Sequence, residues 1–292
     1  MIRPVLEASL RRALGNGSVQ ILGVHPAGGG CIHSAARLST TAGDYFAKWN
    51  SDCPADVFLR EADGLRELGG AASGLVVPRV LDAVAVEHGA PGFILMEYLP
   101  PASGSRDQDE ALGRGLAALH RRAATSFGFD THTYCGPTRQ DNRRTSSWAE
   151  FYGERRLAPL LRLIEEERGL EPSERRFCER LVEKLPALLP EGSSAALIHG
   201  DLWSGNVMRT ERGPAVVDPA CVYADREMEF GITTLFGGFS ATFWRAYEEA
   251  EPLPAGWRDR NPLYQLYHLL THFLIFGGHY GHEALAIVRR FV

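Results

Sequence analysis

Leu197-Ile198-His199-Gly200-Asp201-Leu202-Trp203-Ser204-Gly205-Asn206, followed after a short hairpin by Val216-Val217-Asp218-Pro219, is the stretch whose reading decides the fold. A run of apolar residues ends in His199, and Asp201 comes just beyond it. Asn206 follows five residues on and Asp218 twelve after that. A carboxylate, an amide and a second carboxylate at this spacing suit transfer of a γ-phosphoryl group. That chemistry needs one carboxylate to orient a hydroxyl and accept its proton, and hard oxygen ligands to hold Mg²⁺ against phosphates. Asp201 takes the first role; Asn206 and Asp218 take the second. Read alone, the pattern also describes a polar turn capped by Asp and Asn.

The same spacing places the catalytic base and two metal ligands in kinases, which also require, in chain order, a glycine-rich turn, a strand lysine and a helical glutamate. Gly28, Gly29 and Gly30, then Lys48, then Glu61, stand in that order ahead of Asp201. Lys48 is one of only two lysines among 31 Lys plus Arg. It is either a leftover surface lysine or a position where a compact ammonium is needed and a planar guanidinium will not fit. Glu61 follows Val57 and Phe58 by four and three residues, on the inward stripe of a helix expected over 56–68, where a carboxylate needs a cation.

Working outward, Val5/Leu6, Leu10 and Leu14 have helical spacing. Strands are expected at 19–21, 35–38, 44–49, 76–84 and 93–98, and Pro100-Pro101 stop the sheet. Helical stripes follow from Glu110, over 151–167 and 172–189, and near the end over 236–249, 261–276 and 282–291. A strand pair at 195–198 and 215–217 interrupts them. The expected organisation is a nucleotide-binding lobe over 1–98 and a catalytic and substrate-binding lobe over 99–292.

Composition narrows the partners. With 292 residues, 45% apolar and 23% charged, the chain is long enough to bury a core and poorly suited to extended disorder. A formal charge of −5 without a basic segment argues against nucleic acid as a partner. The five cysteines are odd in number and form no Cys-x-x-Cys pair, as expected of reduced thiols in a cytoplasm. No signal peptide is expected, because the first residues lack its apolar stretch and cleavage site, and no membrane span, because Gln265, His268 and His272 break the most apolar stretch.

The chain resembles the fructosamine kinase (ketosamine-3-kinase) family, relatives of the aminoglycoside phosphotransferases. The matching stretches are GGGCIH from Gly28, DYFAKW from Asp44, HGDLWSGN from His199, VDPACVYADRE from Val217, LFGGF from Leu235 and LYQLYHLLTHFLIFGGHY from Leu263. The resemblance implies an α+β, bilobal protein-kinase-like fold, with a small N-terminal antiparallel sheet lobe bearing one helix and a larger, mainly helical C-terminal lobe. It implies ATP and Mg²⁺ as cofactors, Lys48 with Glu61 at the phosphates, and Met96, Glu97 and Tyr98 beside adenine. Asp201 would be the base, with Asn206 and Asp218 on magnesium. The implied substrate is a ketosamine, small or protein-bound, phosphorylated on its sugar so that the amine is freed. Trp203, Asp225 and Glu229 are the groups available for the sugar and its ammonium. A kinase of another small alcohol, such as an aminoglycoside, and a nucleotide-binding pseudokinase are the alternative readings.

Two positions depart from the family pattern. Glu229 stands where an aspartate supporting the catalytic loop is expected, and Thr271 where the family usually has asparagine on the substrate side. Trp203 is either core or a ring covering the sugar. Cys31, at the tip of the glycine-rich turn, is either an inert small residue or an accessible, oxidisable thiol. His268 and His272, four residues apart with no placed carboxylate, are expected to be packed helix histidines, and no zinc is expected.

Overall fold

The structure, a computed structural model, describes residues 2–28, 33–87, 89–102 and 107–292. The expectations for Gly29, Gly30 and Cys31 fall outside the described residues. Helix α1 (Arg3–Leu14) precedes strands β1 (Ile21–Pro26), β2 (Ser34–Thr40) and β3 (Gly43–Asn50). Helix α2 (Val57–Gly70) leads to β4 (Val80–Val84) and β5 (Gly92–Glu97). The strands form one antiparallel sheet in the order β1-β2-β3-β5-β4.

Alternation along β3 sorts this sheet into two faces. Ala47 joins Leu6, Leu10, Phe93 and Leu95 in a core under α1. Phe46 packs with Phe58, Ala62, Leu65, Ile94 and Met96 under α2. Lys48, two residues on from Phe46, therefore shares the α2 face. Helix α1, expected from the spacing of Leu6, Leu10 and Leu14, gives the sheet a helix on each side.

Beyond β5, Leu99 packs with Val76 and Ala215. Helix α3 (Asp109–His120) opens the helical part. Short strands β6 (Ala123–Ala124), β7 (Thr133–Cys135) and β8 (Thr138–Gln140) come next, the last two forming a hairpin. The helix expected over 151–167 is divided into α4 (Trp148–Tyr152), a π-turn at Gly153–Leu157 and α5 (Ala158–Arg168). This wider turn carries Arg156, whose guanidinium is buried. After α6 (Pro172–Leu188) come β9 (Ala195–Ile198), β10 (Val207–Thr210), β11 (Gly213–Val216) and β12 (Val222–Ala224).

The expected pairing of 195–198 with 215–217 does not occur. Strand β9 lies between β12 and β6, while β11 pairs with β10 in a tight hairpin. Local hairpin closure wins β11 as a partner for β10. The chain ends with α7 (Glu229–Phe236), α8 (Ala241–Ala250), α9 (Trp257–Phe276) and α10 (His279–Phe291). One large core, from Leu112 through Tyr152 and Phe230 to Tyr267, unites these helices with β9. Among the described residues, no helix is long and apolar enough to cross a membrane.

Helices α3 and α8 approach so closely that a Cβ on Gly113 would lie 2.4 Å from the Phe243 carbonyl oxygen. Gly113→Ala must push the two helices apart, at about 1–3 kcal/mol. Gly69→Ala, in α2, would meet only Val77 Cβ at 3.9 Å and gains helix propensity. Thermal melts should show Tm lowered by several degrees for Gly113→Ala and unchanged or raised for Gly69→Ala.

Candidate active site

Lys48, at the centre of the sheet, is the fixed point of the site. Its Nζ donates to Glu61 Oε1 at 2.8 Å and to Asp218 Oδ1. Burial alone would lower the pKa of this amine, but the two carboxylates outweigh it and hold the group as an ammonium. The strand lysine, the helical glutamate and the aspartate 170 residues further on meet at one charge. Asp218 has a left-handed backbone (φ +58°), uncommon for any residue but glycine and most tolerated by Asn and Asp.

Asp201 sits on the loop leaving β9, tied to the Asp218 segment by main-chain contacts. Val217 N donates to Asn206 O at 3.1 Å, and Ala220 N to His199 O at 3.0 Å. The Asp201 N–H donates to His199 Nδ1 at 3.3 Å, which leaves the imidazole proton on Nε2 to donate to Val217 O at 2.9 Å. Burial lowers the His199 pKa and so keeps this ring neutral. The loop turns at Gly200 with φ +82°, where a Cβ would come within 2.2 Å of the Ala220 carbonyl oxygen. Only glycine serves there.

Asn206 Nδ2 donates to Asp201 O at 2.8 Å and Asp201 Oδ2 at 3.1 Å. This leaves Asp201 Oδ1 for another partner and the Asn206 carbonyl oxygen as a hard donor. The Asp201 carboxyl is pushed up to about 8, chiefly by burial, with Asp218 and Glu229 adding to the rise against the Asn206 hydrogen bond. Alone, this carboxyl is mainly protonated at pH 7; a cation bound beside it would favour the carboxylate, the form able to accept a proton. The oxygen donors of Asn206 and Asp218 fit Mg²⁺, a hard cation.

Two expected substrate groups are displaced from the cleft. Glu229, buried at 1% exposure, accepts from the backbone N–H groups of His199 (2.6 Å) and Gly200 (3.0 Å). It lies behind the catalytic loop, the supporting place expected of the family aspartate. Burial pushes its carboxyl upward, but His120, with Nε2 3.6 Å away, His199 and the backbone donors outweigh this, for a net lowered pKa. Asp225 is also buried, accepting from Glu227 N (2.8 Å) and from the Ser193 hydroxyl. Both carboxylates are occupied by donors that substrate does not provide. Thr271 is likewise buried, its hydroxyl donating to Tyr267 O at 2.9 Å.

Trp203 is 38% exposed and lies so close over Gly205 that a Cβ there would be 2.2 Å from the ring. Its ring meets Phe236 edge-on at 6.5 Å, and from Phe236 the aromatics continue to His272 (5.0 Å), then Phe276 and Tyr280. The sequence reading missed this wall, although His272, Phe276 and Tyr280 recur at intervals of four. At the end of β5, Met96 is core, Glu97 accepts from Arg79 N (2.9 Å) and pairs with Arg212 (2.9 Å), and Tyr98 packs on the Arg37 guanidinium. Gly28 is exposed just past β1.

Because the folded-state pKa of Glu229 is depressed, its charge contributes stability that is present above the ordinary glutamate value near 4.5 and lost as pH falls through the lowered value. Glu229→Gln turns an N–H₂ toward a backbone donor and should cost about 1–3 kcal/mol at neutral pH. Denaturant titrations at pH 7 and near pH 3 should show that difference shrinking on acidification. An equal difference at both would mean that the charge of Glu229 is not what supports the loop.

Comparison with known proteins agrees with this arrangement. The fructosamine kinase family model matches residues 5–292. A protein-ribulosamine 3-kinase of Arabidopsis thaliana, designated chloroplastic, is 35% identical over 274 residues, covering 93% of this chain and 83% of the relative. The solved structure of a "putative fructosamine-3-kinase" from Thermobifida fusca superposes with a TM-score of 0.83 at 33% identity, covering 95% of this chain and 96% of that one. An aminoglycoside phosphotransferase solved with AMP-PNP and hygromycin B shares the fold alone, at TM-score 0.62 and 16% identity, covering 97% and 98% of the two chains. The sheet and the helical part are therefore those of a kinase-like enzyme, and the chain belongs to the fructosamine kinase family of ATP-using phosphotransferases.

Proposed function

We propose that this enzyme phosphorylates a sugar hydroxyl of a ketosamine, the adduct of a reducing sugar with an amine, and so prepares the adduct for release of the amine. The observation that carries the reading is Asp201, with one carboxylate oxygen held by Asn206 and the other available, beside the half-exposed ring of Trp203. The named activity of the Arabidopsis relative supports the substrate class. ATP would supply the phosphoryl group, and Mg²⁺ would offset the phosphate charge.

Each residue then has a defined task. Lys48 presents a point charge to the phosphates, and Glu61 keeps that charge in place from α2. Asn206 and Asp218 offer hard oxygens to the metal. Asp201 orients the acceptor hydroxyl through its free oxygen and takes the proton as the new O–P bond forms. Trp203 covers the sugar with an apolar ring, a surface suited to carbohydrate C–H groups and to a neighbouring ammonium. Glu97 N–H is taken, donating to Arg79 O at 2.9 Å, so the main chain just beyond it, at Tyr98, would meet adenine.

Asp201→Asn should lower kcat by about 10²–10⁴-fold with ATP affinity nearly unchanged, because the carboxylate acts on the hydroxyl. Asp218→Ala should abolish Mg²⁺-dependent nucleotide binding and turnover together. Lys48→Arg should fail nearly as badly as Lys48→Ala, since the fork cannot occupy a site shaped for an ammonium between two carboxylates. Nucleotide titration and turnover assays read all four. For the substrate, mass spectrometry of a panel of fructosyl- and ribulosyl-amines, aminoglycosides and plain sugars should find the phosphorylated product among the ketosamines. Trp203→Ala should raise KM for the sugar far more than for ATP. Phosphorylation of aminoglycosides or plain sugars with no ketosamine turned over would overturn the substrate reading and leave the kinase reading standing.

A further inference from the structure

Cys135, Asp201 and His268 lie far apart in sequence, yet their ligand atoms, a sulfur, a carboxylate oxygen and a ring nitrogen, all lie within 4.8 Å of one another. Cys135 ends β7, His268 lies within α9, and Asp201 sits between them on the catalytic loop. The β7–β8 hairpin brings the thiol there. His272, the histidine paired with His268 by spacing, is turned to other work and donates from Nδ1 to His268 O at 2.8 Å.

The surroundings suit a ligand set better than a packed core. His268 is 1% exposed, and its Nδ1 has no hydrogen-bond partner, an arrangement that costs about 1–3 kcal/mol in a buried group. Burial holds this imidazole neutral, with its pKa pushed down to about 3, which is the form that binds metal. Burial pushes the Cys135 thiol upward, and Asp201 adds to the rise. The buried Arg156 guanidinium and the Tyr267 hydroxyl oppose this only in part, so the thiol stays well above its ordinary value and keeps its proton until a metal displaces it. Gln140 Nε2 fixes that hydroxyl at 2.8 Å, and Arg156 is itself anchored on Asp141 O (2.8 Å) and Asn142 Oδ1 (2.6 Å). Such outer contacts orient ligands in metal sites.

We propose that Cys135, Asp201 and His268 form a zinc site, completed by a water from the cleft, whose occupation removes Asp201 from service as the base. One sulfur, one nitrogen and one carboxylate oxygen with an open fourth position match tetrahedral Zn²⁺ and do not suit Mg²⁺. Bonds of about 2.0–2.3 Å put tetrahedral donors about 3.3–3.8 Å apart, so atoms within 4.8 Å of one another need to close by at most about 1.5 Å. Binding forms a Zn–S bond and releases the thiol proton to solvent; no oxidation state changes. The magnesium ligands Asn206 and Asp218 lie outside this set, so the two metals share no ligand and are linked only by the Asn206–Asp201 hydrogen bond. The site is independent of which sugar is the substrate. Its inhibitory effect rests on Asp201 as base.

The test uses the purified full chain without magnesium. Titration with Co²⁺ should give thiolate-to-cobalt charge-transfer absorption saturating at one equivalent, and Zn²⁺ should displace it. Cys135→Ser, Cys135→Ala and His268→Gln should each weaken Zn²⁺ binding at least tenfold, with circular dichroism verifying that each is folded. In the kinase assay with Mg²⁺ and ATP, Zn²⁺ should inhibit reversibly, restored by a chelator selective for zinc. The ratio of inhibited to uninhibited rate should approach one in Cys135→Ala. The absence of charge transfer in the wild-type chain, or zinc affinity unchanged in both cysteine variants, overturns the site. Inhibition persisting in Cys135→Ala overturns its effect on the base. The spectroscopic arm gives its answer even if no ketosamine is turned over.

Discussion

The structure turns on one buried ammonium. Lys48 comes from the sheet, Glu61 from the helix across one face of that sheet, and Asp218 from the far side of the cleft. Taking a charge out of water is costly, and removing the ammonium would leave two carboxylates facing each other uncompensated. The triad therefore couples the register of β3, the rotation of α2 and the course of the chain after β11. A one-residue slip in β3 would turn the lysine to the α1 face, among Leu6 and Leu10 and away from Glu61.

A second carboxylate does the corresponding work behind the loop that carries Asp201. Glu229 gathers two main-chain donors from the turn His199-Gly200, and the neutral His199 ring ties that turn to Val217. Asp201 is thus positioned by groups that never meet a reactant. A glutamate in place of the family's aspartate still reaches both donors from the first turn of α7.

What could be read from the sequence follows the range of the interactions. That Lys48 would meet Glu61 and Asp218, and Asn206 Asp201, could be anticipated because the expected chemistry asks for these residue types in chain order, and periodicity places each on a strand, helix or loop. The sheet strands were legible within a few residues for the same reason. The partner of β9 was not, because pairing across the chain leaves no mark in either segment. Asp225 and Glu229 read as substrate groups because a carboxylate's letter is the same whether it faces a cleft or a buried backbone N–H. Only the fold reveals which. The π-turn that divides 148–168 was hidden as well, since its residues keep an apolar stripe while adding one residue to a turn.

The scarcity of lysine takes on a further meaning once the burial of Lys48 is known. Reducing sugars condense with unprotonated amines and leave guanidinium groups alone. Of the two ε-amines in this chain, Lys48 is sequestered as an ammonium between carboxylates, and Lys184 is the one that stands exposed on α6. With arginine supplying the remaining basic side chains, an enzyme working among sugars and their amine adducts offers almost no ε-amine surface on which glycation of its own chain can begin.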